Sequence, residues 1–148
     1  MNKELNADRF IEQRNSAPAR LYRSLMSVLN ETNLLSGNKI VPNSAEFPPV
    51  LIQPVNPGKK NQFFLIANEL QLELLSPVIL VHLDHCHKVA EPLSLSEGDP
   101  NTWIDVYNAE GQAVDVDFQN ALFSKLTKWF RLIAASRFSV VPLILKSV

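Results

Sequence analysis

One apolar run constrains the fold of this chain more than any other feature. Residues 77–83 read PVILVHL, a continuous stretch of leucines and β-branched residues. The run is far shorter than the roughly 20 apolar residues that a membrane-spanning helix needs. It is typical of a central strand that is buried on both faces. A strand of this kind requires neighbouring strands at its sides and helices above and below the sheet.

Helical spacing of apolar residues supplies candidates for those helices near the start of the chain. Residues 3–15 predict a first helix with a thin apolar stripe. Its members are Leu5, Phe10 and Ile11. Pro18 suits the first turn of a second helix, which the spacing predicts over residues 19–32. Residues 36–38 (SGN) then provide the expected stop.

The strongest helical pattern lies near the end of the chain. Asp117 has the side chain of a good N-cap, and the helix is predicted to begin there. An apolar stripe at helical spacing follows. It consists of Phe118, Leu122, Leu126, Trp129, Phe130 and Ile133.

Prolines limit where further strands can lie. Five prolines fall between residues 42 and 57, and each removes a backbone donor. We therefore predict Val50–Ile52 to be a short edge strand. Alternating apolar residues predict one or two strands over residues 62–74, with a helix over residues 69–75 as the alternative for the second part. Residues 139–146 predict a final strand, which Pro142 places at an edge or a bulge.

A hairpin is predicted over residues 103–117. Residues 109–111 (AEG) suit a type I turn closed by a glycine in the left-handed region. This turn fixes the register of the two strands. The implied pairs are Asn108–Gln112, Val106–Val114, Asp105–Asp115 and Ile104–Val116. Apolar pairs then share one face and carboxylates the other.

These elements predict a single α+β domain over residues 1–148. It has two N-terminal helices and a mixed or antiparallel sheet of about five to six strands. The sheet includes the 103–117 hairpin, and a long C-terminal helix and a final edge strand complete the domain. The strands cluster between the helices, which is the α+β order rather than alternating βαβ.

A cluster of metal-ligating residues lies within residues 82–87 (HLDHCH), which contain all three histidines and the only cysteine. Strand alternation divides the cluster into two sets. One face carries His85 and His87, and the other carries His82, Asp84 and Cys86. Zn²⁺ accepts these ligand types, which makes His82, Asp84, His85 and His87 candidate zinc ligands. The alternative is a histidine pair bonded to backbone or solvent and a cysteine that acts as a small apolar residue.

The hairpin aspartates form a second candidate metal site. Opposed like charges destabilise a sheet, so Asp105 and Asp115 need a compensating group. With Asp117, their oxygens suit Mg²⁺ or Mn²⁺. The layout is similar to the acidic sites of metal-dependent nucleases, except that Asp117 stands where many of those sites have a lysine. The alternative is a solvated face with Asp117 used as a helix cap.

Charge is segregated along the second half of the chain. Residues 84–117 contain eight acids and one base. Residues 118–148 contain five bases and no acid. Lys125, Lys128 and Arg131 could face a phosphate backbone or another partner. They step around the helix rather than forming a single row. The alternative is mutual neutralisation of the two segments or two plain solvated surfaces.

Composition excludes several classes of function. The four glycines form no phosphate-cradling loop, and no G-x-S-x-G elbow is present. A single cysteine allows no internal disulfide, and the polar start lacks the apolar core of a signal peptide, so we expect a cytoplasmic protein without a membrane partner.

The sequence favours a small accessory protein that acts by binding another macromolecule, first of all a protein or a second copy of itself. Lys125, Lys128 and Arg131 are the candidate contact residues. Nucleic acid is the less supported partner. No cofactor is expected. The alternative is a metal-dependent hydrolase or nuclease that uses Zn²⁺ or Mg²⁺ at the 82–87 cluster or the hairpin aspartates.

Overall fold

A computed structural model describes residues 16–30, 34–43, 49–56, 61–67, 78–96 and 103–142. These residues contain helix α1 (Ala17–Met26), helix α2 (Val116–Ala135) and seven strands. The strands are β1 (Asn38–Pro42), β2 (Val50–Pro54), β3 (Gln62–Ala67), β4 (Val78–Asp84), β5 (Val89–Ser96), β6 (Ile104–Asp105) and β7 (Phe138–Pro142). The helix predicted over residues 3–15 lies outside the described residues.

All seven strands belong to one sheet in the order β6-β5-β4-β3-β2-β1-β7. Every neighbouring pair is antiparallel. The first six strands follow one another as a meander, and α2 then returns the chain so that β7 pairs with β1. The prediction of an α+β fold with an antiparallel sheet is confirmed. The predicted counts are corrected: the sheet has seven strands, and of the two described helices only α1 is N-terminal.

The two helices cover one face of the sheet. Strand β4 shows this by strict alternation, because Ile79, Val81 and Leu83 are buried while the residues between them are half-buried. Helices α1 and α2 pack against each other, and both contact β5. The prediction of burial on both faces of residues 77–83 is therefore wrong for the described part of the run, β4. The strand is central in the sheet, as predicted, but the two helices bury only one of its faces.

Helix α1 begins and ends with local capping interactions. The Ser16 hydroxyl accepts a hydrogen bond from the Ala19 amide at 3.3 Å, and Pro18 lies in the first turn. Leu21 and Leu25 are fully buried. The helix ends at Met26, so the predicted span of residues 19–32 is too long. Val28 and Leu29 remain buried, but they lie in a turn. The backbone amides of both residues donate hydrogen bonds to the Leu25 carbonyl.

Prolines lie at strand ends or beside an irregularity. Strand β2 lies inside the sheet, between β1 and β3, so the predicted edge position of Val50–Ile52 is wrong. The prolines flank this strand rather than interrupt it, and Pro54 is its last residue. Strand β5 was not predicted because it contains Pro92, which the sheet accommodates at a register shift opposite Leu80 and Val81. Strand β7 is at the edge of the described sheet, as predicted. Its described residues end at Pro142, and the rest of the predicted strand, residues 143–146, lies outside the described residues.

Among the described residues, neither helix has the length and hydrophobicity required to cross a membrane.

Candidate functional site

The histidine cluster lies at the junction of β4 and β5. Strand β4 ends at Asp84, and residues 85–88 form the turn that leads to β5. Lys88 has φ 55°, in the left-handed region that closes such turns. The prediction that His85 and His87 share a strand face is wrong, because both residues lie in the turn. We call residues 84–88 the histidine turn.

Asp84 and His87 bond to each other within this turn. The Asp84 carboxylate accepts the backbone N–H of His87 at 3.0 Å and lies 2.7 Å from its ring Nδ1. These two hydrogen bonds, first the backbone one and then the ring one, lower the pKa of Asp84. The pair is on the surface, with the His87 side chain 79% exposed. It stabilises the turn locally.

The other two histidines point to different partners. The ring Nδ1 of His85 lies 3.1 Å from the Tyr22 hydroxyl, and the two rings are in edge contact at 5.8 Å. This contact joins the histidine turn to α1. His82 lies on β4 beside Gln62 of the neighbouring strand, 3.4 Å from its side-chain amide. Cys86 is exposed and carries a free thiol.

The described residues contain no group of three or more His, Cys, Asp or Glu side chains placed to hold a metal ion. His82, Asp84, His85 and His87 are therefore close in sequence without forming one ligand set in the described structure. The zinc site and the hydrolase activity that it would support stay predictions.

The predicted hairpin register is confirmed in its centre. The Asn108 amide donates to the Gln112 carbonyl at 2.8 Å, and the Val114 amide donates to the Val106 carbonyl at 2.9 Å. Gly111 has φ 80°, the left-handed conformation that closes the turn. The pairing inferred from the turn residues therefore holds for the inner part of the hairpin.

The outer part of the hairpin departs from the prediction. Asp105 lies in β6 and pairs with Ser94 of β5. Asp115 is the N-cap of α2, and its carboxylate accepts the amides of Asp117 at 3.0 Å and Phe118 at 3.2 Å. The predicted cap at Asp117 is wrong, because the extended backbone of Asp115 ends the hairpin two residues earlier. Asp117 lies in the first helical turn, where its negative charge interacts favourably with the helix dipole.

A side-chain hydrogen bond also joins the start of α2 to the hairpin. The Gln119 side-chain amide donates to the Tyr107 hydroxyl at 3.1 Å. Burial is the main cause that raises the pKa of Tyr107, and the Gln119 bond opposes this shift. The contact fixes the direction in which α2 leaves the hairpin.

Helix α2 has one buried and one exposed stripe. The buried residues are Leu122, Phe123, Leu126, Phe130 and Ile133. Phe118 and Trp129, the other members of the predicted stripe, are half-buried and pack against this core. The predicted contact residues Lys125, Lys128 and Arg131 are all exposed.

A groove of about 960 Å³ lies between α1 and α2. Residues along α1 and from the first to the last turns of α2 line it. Three cationic side chains line the groove: Arg20 from α1, and Lys128 and Arg131 from α2. Its apolar lining includes the buried ring of Phe123 and the side chain of Leu132, which is 40% exposed.

The charge of this groove is one-sided. Within the described part of the chain, no Asp or Glu lines it, and neither Arg20, Lys128 nor Arg131 has an ion-pair partner. Lys128 and Arg131 are three residues apart on one helix, where like charges destabilise it by a few tenths of a kcal/mol. The groove therefore presents positive charge above an apolar floor.

Sequence reasoning identified part of this groove. It singled out Lys128 and Arg131, but also Lys125, which does not line the groove. It missed Arg20. The available signal was that Arg20 is a cation outside the apolar stripe of the helix predicted over residues 19–32.

Neither the models of known protein families, nor curated proteins, nor solved structures provide a match to this chain.

Proposed function

We propose that this protein acts by binding another protein, whose acidic and partly apolar segment occupies the groove between α1 and α2. One observation carries the proposal: three cations that have no acidic partner among the described residues line a groove with an apolar floor. Such charges gain most from a partner that supplies carboxylates, because electrostatic complementarity raises the association rate and selects the partner. Burial of Leu132 would add apolar contact.

The composition of the groove favours protein over nucleic acid. Nucleic-acid surfaces neutralise many phosphates and therefore carry broad basic patches. Here the cations are three, and they line the groove together with alanines and Leu132. A short segment that combines carboxylates with leucine-like side chains fits this pattern better.

The length of α1 sets the length of the segment. Its 10 residues span about 15 Å at the helical rise. A helical partner that lies along the groove would therefore make its contacts through roughly ten residues. With so small an interface, binding should be weak and sensitive to salt.

The test uses defined peptides. Three fluorescent amphipathic peptides share a leucine face and carry glutamate, glutamine or lysine at the same polar positions. Fluorescence polarisation at low and high salt would measure their binding to the full chain, with a single-stranded oligonucleotide as a fourth probe. We expect the glutamate peptide to bind at least tenfold more tightly than the other two, and salt to weaken its binding.

Variants connect the binding to the groove. Arg20→Glu and Lys128→Glu should each reduce affinity for the glutamate peptide at least tenfold. Lys125→Glu is the matched control, because it makes the same change on α2 outside the groove. Equal losses for Lys125→Glu and Lys128→Glu would show a general charge effect and overturn the proposal. Preferred binding of the oligonucleotide would also overturn it.

A further inference from the structure

The exposed stripe of α2 has opposite charges at its two ends. A period of 3.6 residues aligns six of the exposed residues on the side of the helix away from the core. They are Asp117, Ala121, Ser124, Lys128, Arg131 and Ala135, and the exposed residues Asn120, Lys125 and Leu132 flank them. An acid lies at one end, small residues lie in the middle, and two bases follow. A second helix that ran antiparallel along this stripe would find complementary charges if it carried the same sequence.

The helix dipole explains only one half of this pattern. Asp117 lies in the first turn, where an acid is favourable. The last turn contains no basic residue, and the dipole effect fades within one turn of the helix end. The dipole of their own helix therefore stabilises the positive charges of Lys128 and Arg131 only weakly. No acid lies three or four residues from either of them to offset their mutual repulsion.

We infer that a second copy of this chain binds along α2, so that the α2 helices pack antiparallel about a twofold axis at Ser124. Asp117 of each copy then lies level with Arg131 of the other, because both are seven residues from Ser124. Lys128 lies about one helical turn nearer to the axis than Arg131, within reach of the same carboxylate. This inference rests on the proposed function, since Asp117 of the second copy would supply a carboxylate to the cations of the groove rim.

The small residues allow the two helices to approach. Packed helix axes are about 8–10 Å apart, and Cα atoms lie about 2.3 Å from each axis. The Cα atoms of two facing Ser124 residues would therefore be only about 3.4–5.4 Å apart. Ala121 and Ser124 are exposed and short enough for this contact. The contact is isologous, so it closes as a dimer and does not continue as a filament.

A cysteine placed on the axis tests this geometry. Cys86 is exposed, so the background is Cys86→Ser. In that background Ser124→Cys should form a disulfide-linked dimer under mild oxidation, because disulfides require Cα atoms roughly 4.4–6.8 Å apart. Lys125→Cys, the next residue around the helix, is the matched control and should cross-link at least tenfold more slowly. Equal rates, or no dimer with Ser124→Cys, would overturn the inference.

Charge exchange tests the pairing itself. Sedimentation equilibrium of the full chain at low salt should show self-association that Asp117→Arg and Arg131→Asp each weaken at least tenfold. The double variant should restore it, because the exchanged charges again meet across the axis. Circular dichroism verifies that each variant is folded, and Asp115 still caps α2 in all of them. Failure of the double variant to restore association would overturn the inference.

The two proposals fail in different ways. A chain that stays monomeric at low salt but binds the glutamate peptide overturns the dimer and leaves the proposed function standing. A dimer that forms while the glutamate peptide does not bind supports the twofold contact and overturns the acidic partner. Competition between the glutamate peptide and dimer formation is the result that supports both.

Discussion

The histidine turn and the groove between α1 and α2 are two polar regions of the molecule that differ in how their charges are compensated. In the turn, Asp84 bonds to His87 and His85 bonds to Tyr22. In the groove, three cations have no acidic partner among the described residues. The clustering of metal-ligating side chains in the sequence therefore did not indicate where charge is left without a partner. That charge lies in the groove.

The difference follows from where the interacting residues lie in the chain. Asp84 and His87 are three residues apart in a tight turn, so their side chains satisfy each other locally. Arg20 and Arg131 come from helices at opposite ends of the chain, and the common core holds them in place. Their charges have the same sign, so packing brings them together without compensating them. A partner can supply the missing charge at the groove but finds less to bind at the turn.

The largest expected effect concerns the core under the groove. Phe130 is fully buried and meets Trp129 edge to face at 5.8 Å. Phe130→Ala should lower the free energy of unfolding by about 3–5 kcal/mol, because it removes a large buried ring and leaves a cavity. Urea denaturation followed by Trp fluorescence measures the change. His85→Ala, in the histidine turn, should cost less than a third as much, and equal losses would contradict this contrast between the two regions.

The next effect concerns the start of α2. Asp115→Ala should destabilise the chain by about 1 kcal/mol, because the amides of Asp117 and Phe118 lose their acceptor. Asp117→Ala removes an acid from the first turn without removing the cap, and should cost about 0.3–1 kcal/mol. Thermal melts of both variants measure the difference. A larger loss for Asp117→Ala would indicate that the helix begins where the sequence alone placed it.

The misplaced cap shows what sequence patterns did and did not determine here. Turn chemistry at residues 109–111 correctly gave the inner hairpin register, because a tight turn fixes its neighbours locally. The apolar stripe of α2 was correctly identified because a 3.6-residue period is long and unambiguous. The cap was misassigned because Asp115 and Asp117 are equally good caps in isolation. Only the pairing of β6 with β5 shows where the hairpin ends.

Tertiary arrangement accounts for the remaining errors. Strand β5 was not predicted, since Pro92 is acceptable only because the sheet shifts register beside it. The strand positions of His85 and His87 were wrong because the turn begins one residue after Asp84. The groove itself depends on how α1 packs against α2, which no local pattern encodes. Sequence therefore predicted two of its three cations but not their convergence with Arg20.

A smaller effect separates binding from stability at the groove. Lys128→Gln and Arg131→Gln should leave the free energy of unfolding unchanged or raise it by up to about 0.5 kcal/mol, because each relieves repulsion between like charges. Both should weaken binding of the glutamate peptide. Chemical denaturation and polarisation on the same samples measure the two quantities. A clear loss of stability would show that these cations have a structural partner within the fold, which contradicts the compensation argument.

The smallest effect concerns the histidine turn and depends on pH. Hydrogen bonds from His87 lower the native pKa of Asp84, so ionised Asp84 stabilises the folded state. This contribution is fully present above the unfolded pKa of about 3.9 and is lost as pH falls through the lowered native value. The melting temperature should therefore exceed that of Asp84→Asn slightly at pH 6, and this difference should shrink below about pH 4. Solvent screening keeps the effect small, since the Asp84 side chain is 36% exposed. A difference that does not change with pH would mean that Asp84 acts through the shape of the turn alone, because Asn keeps an acceptor for the His87 amide.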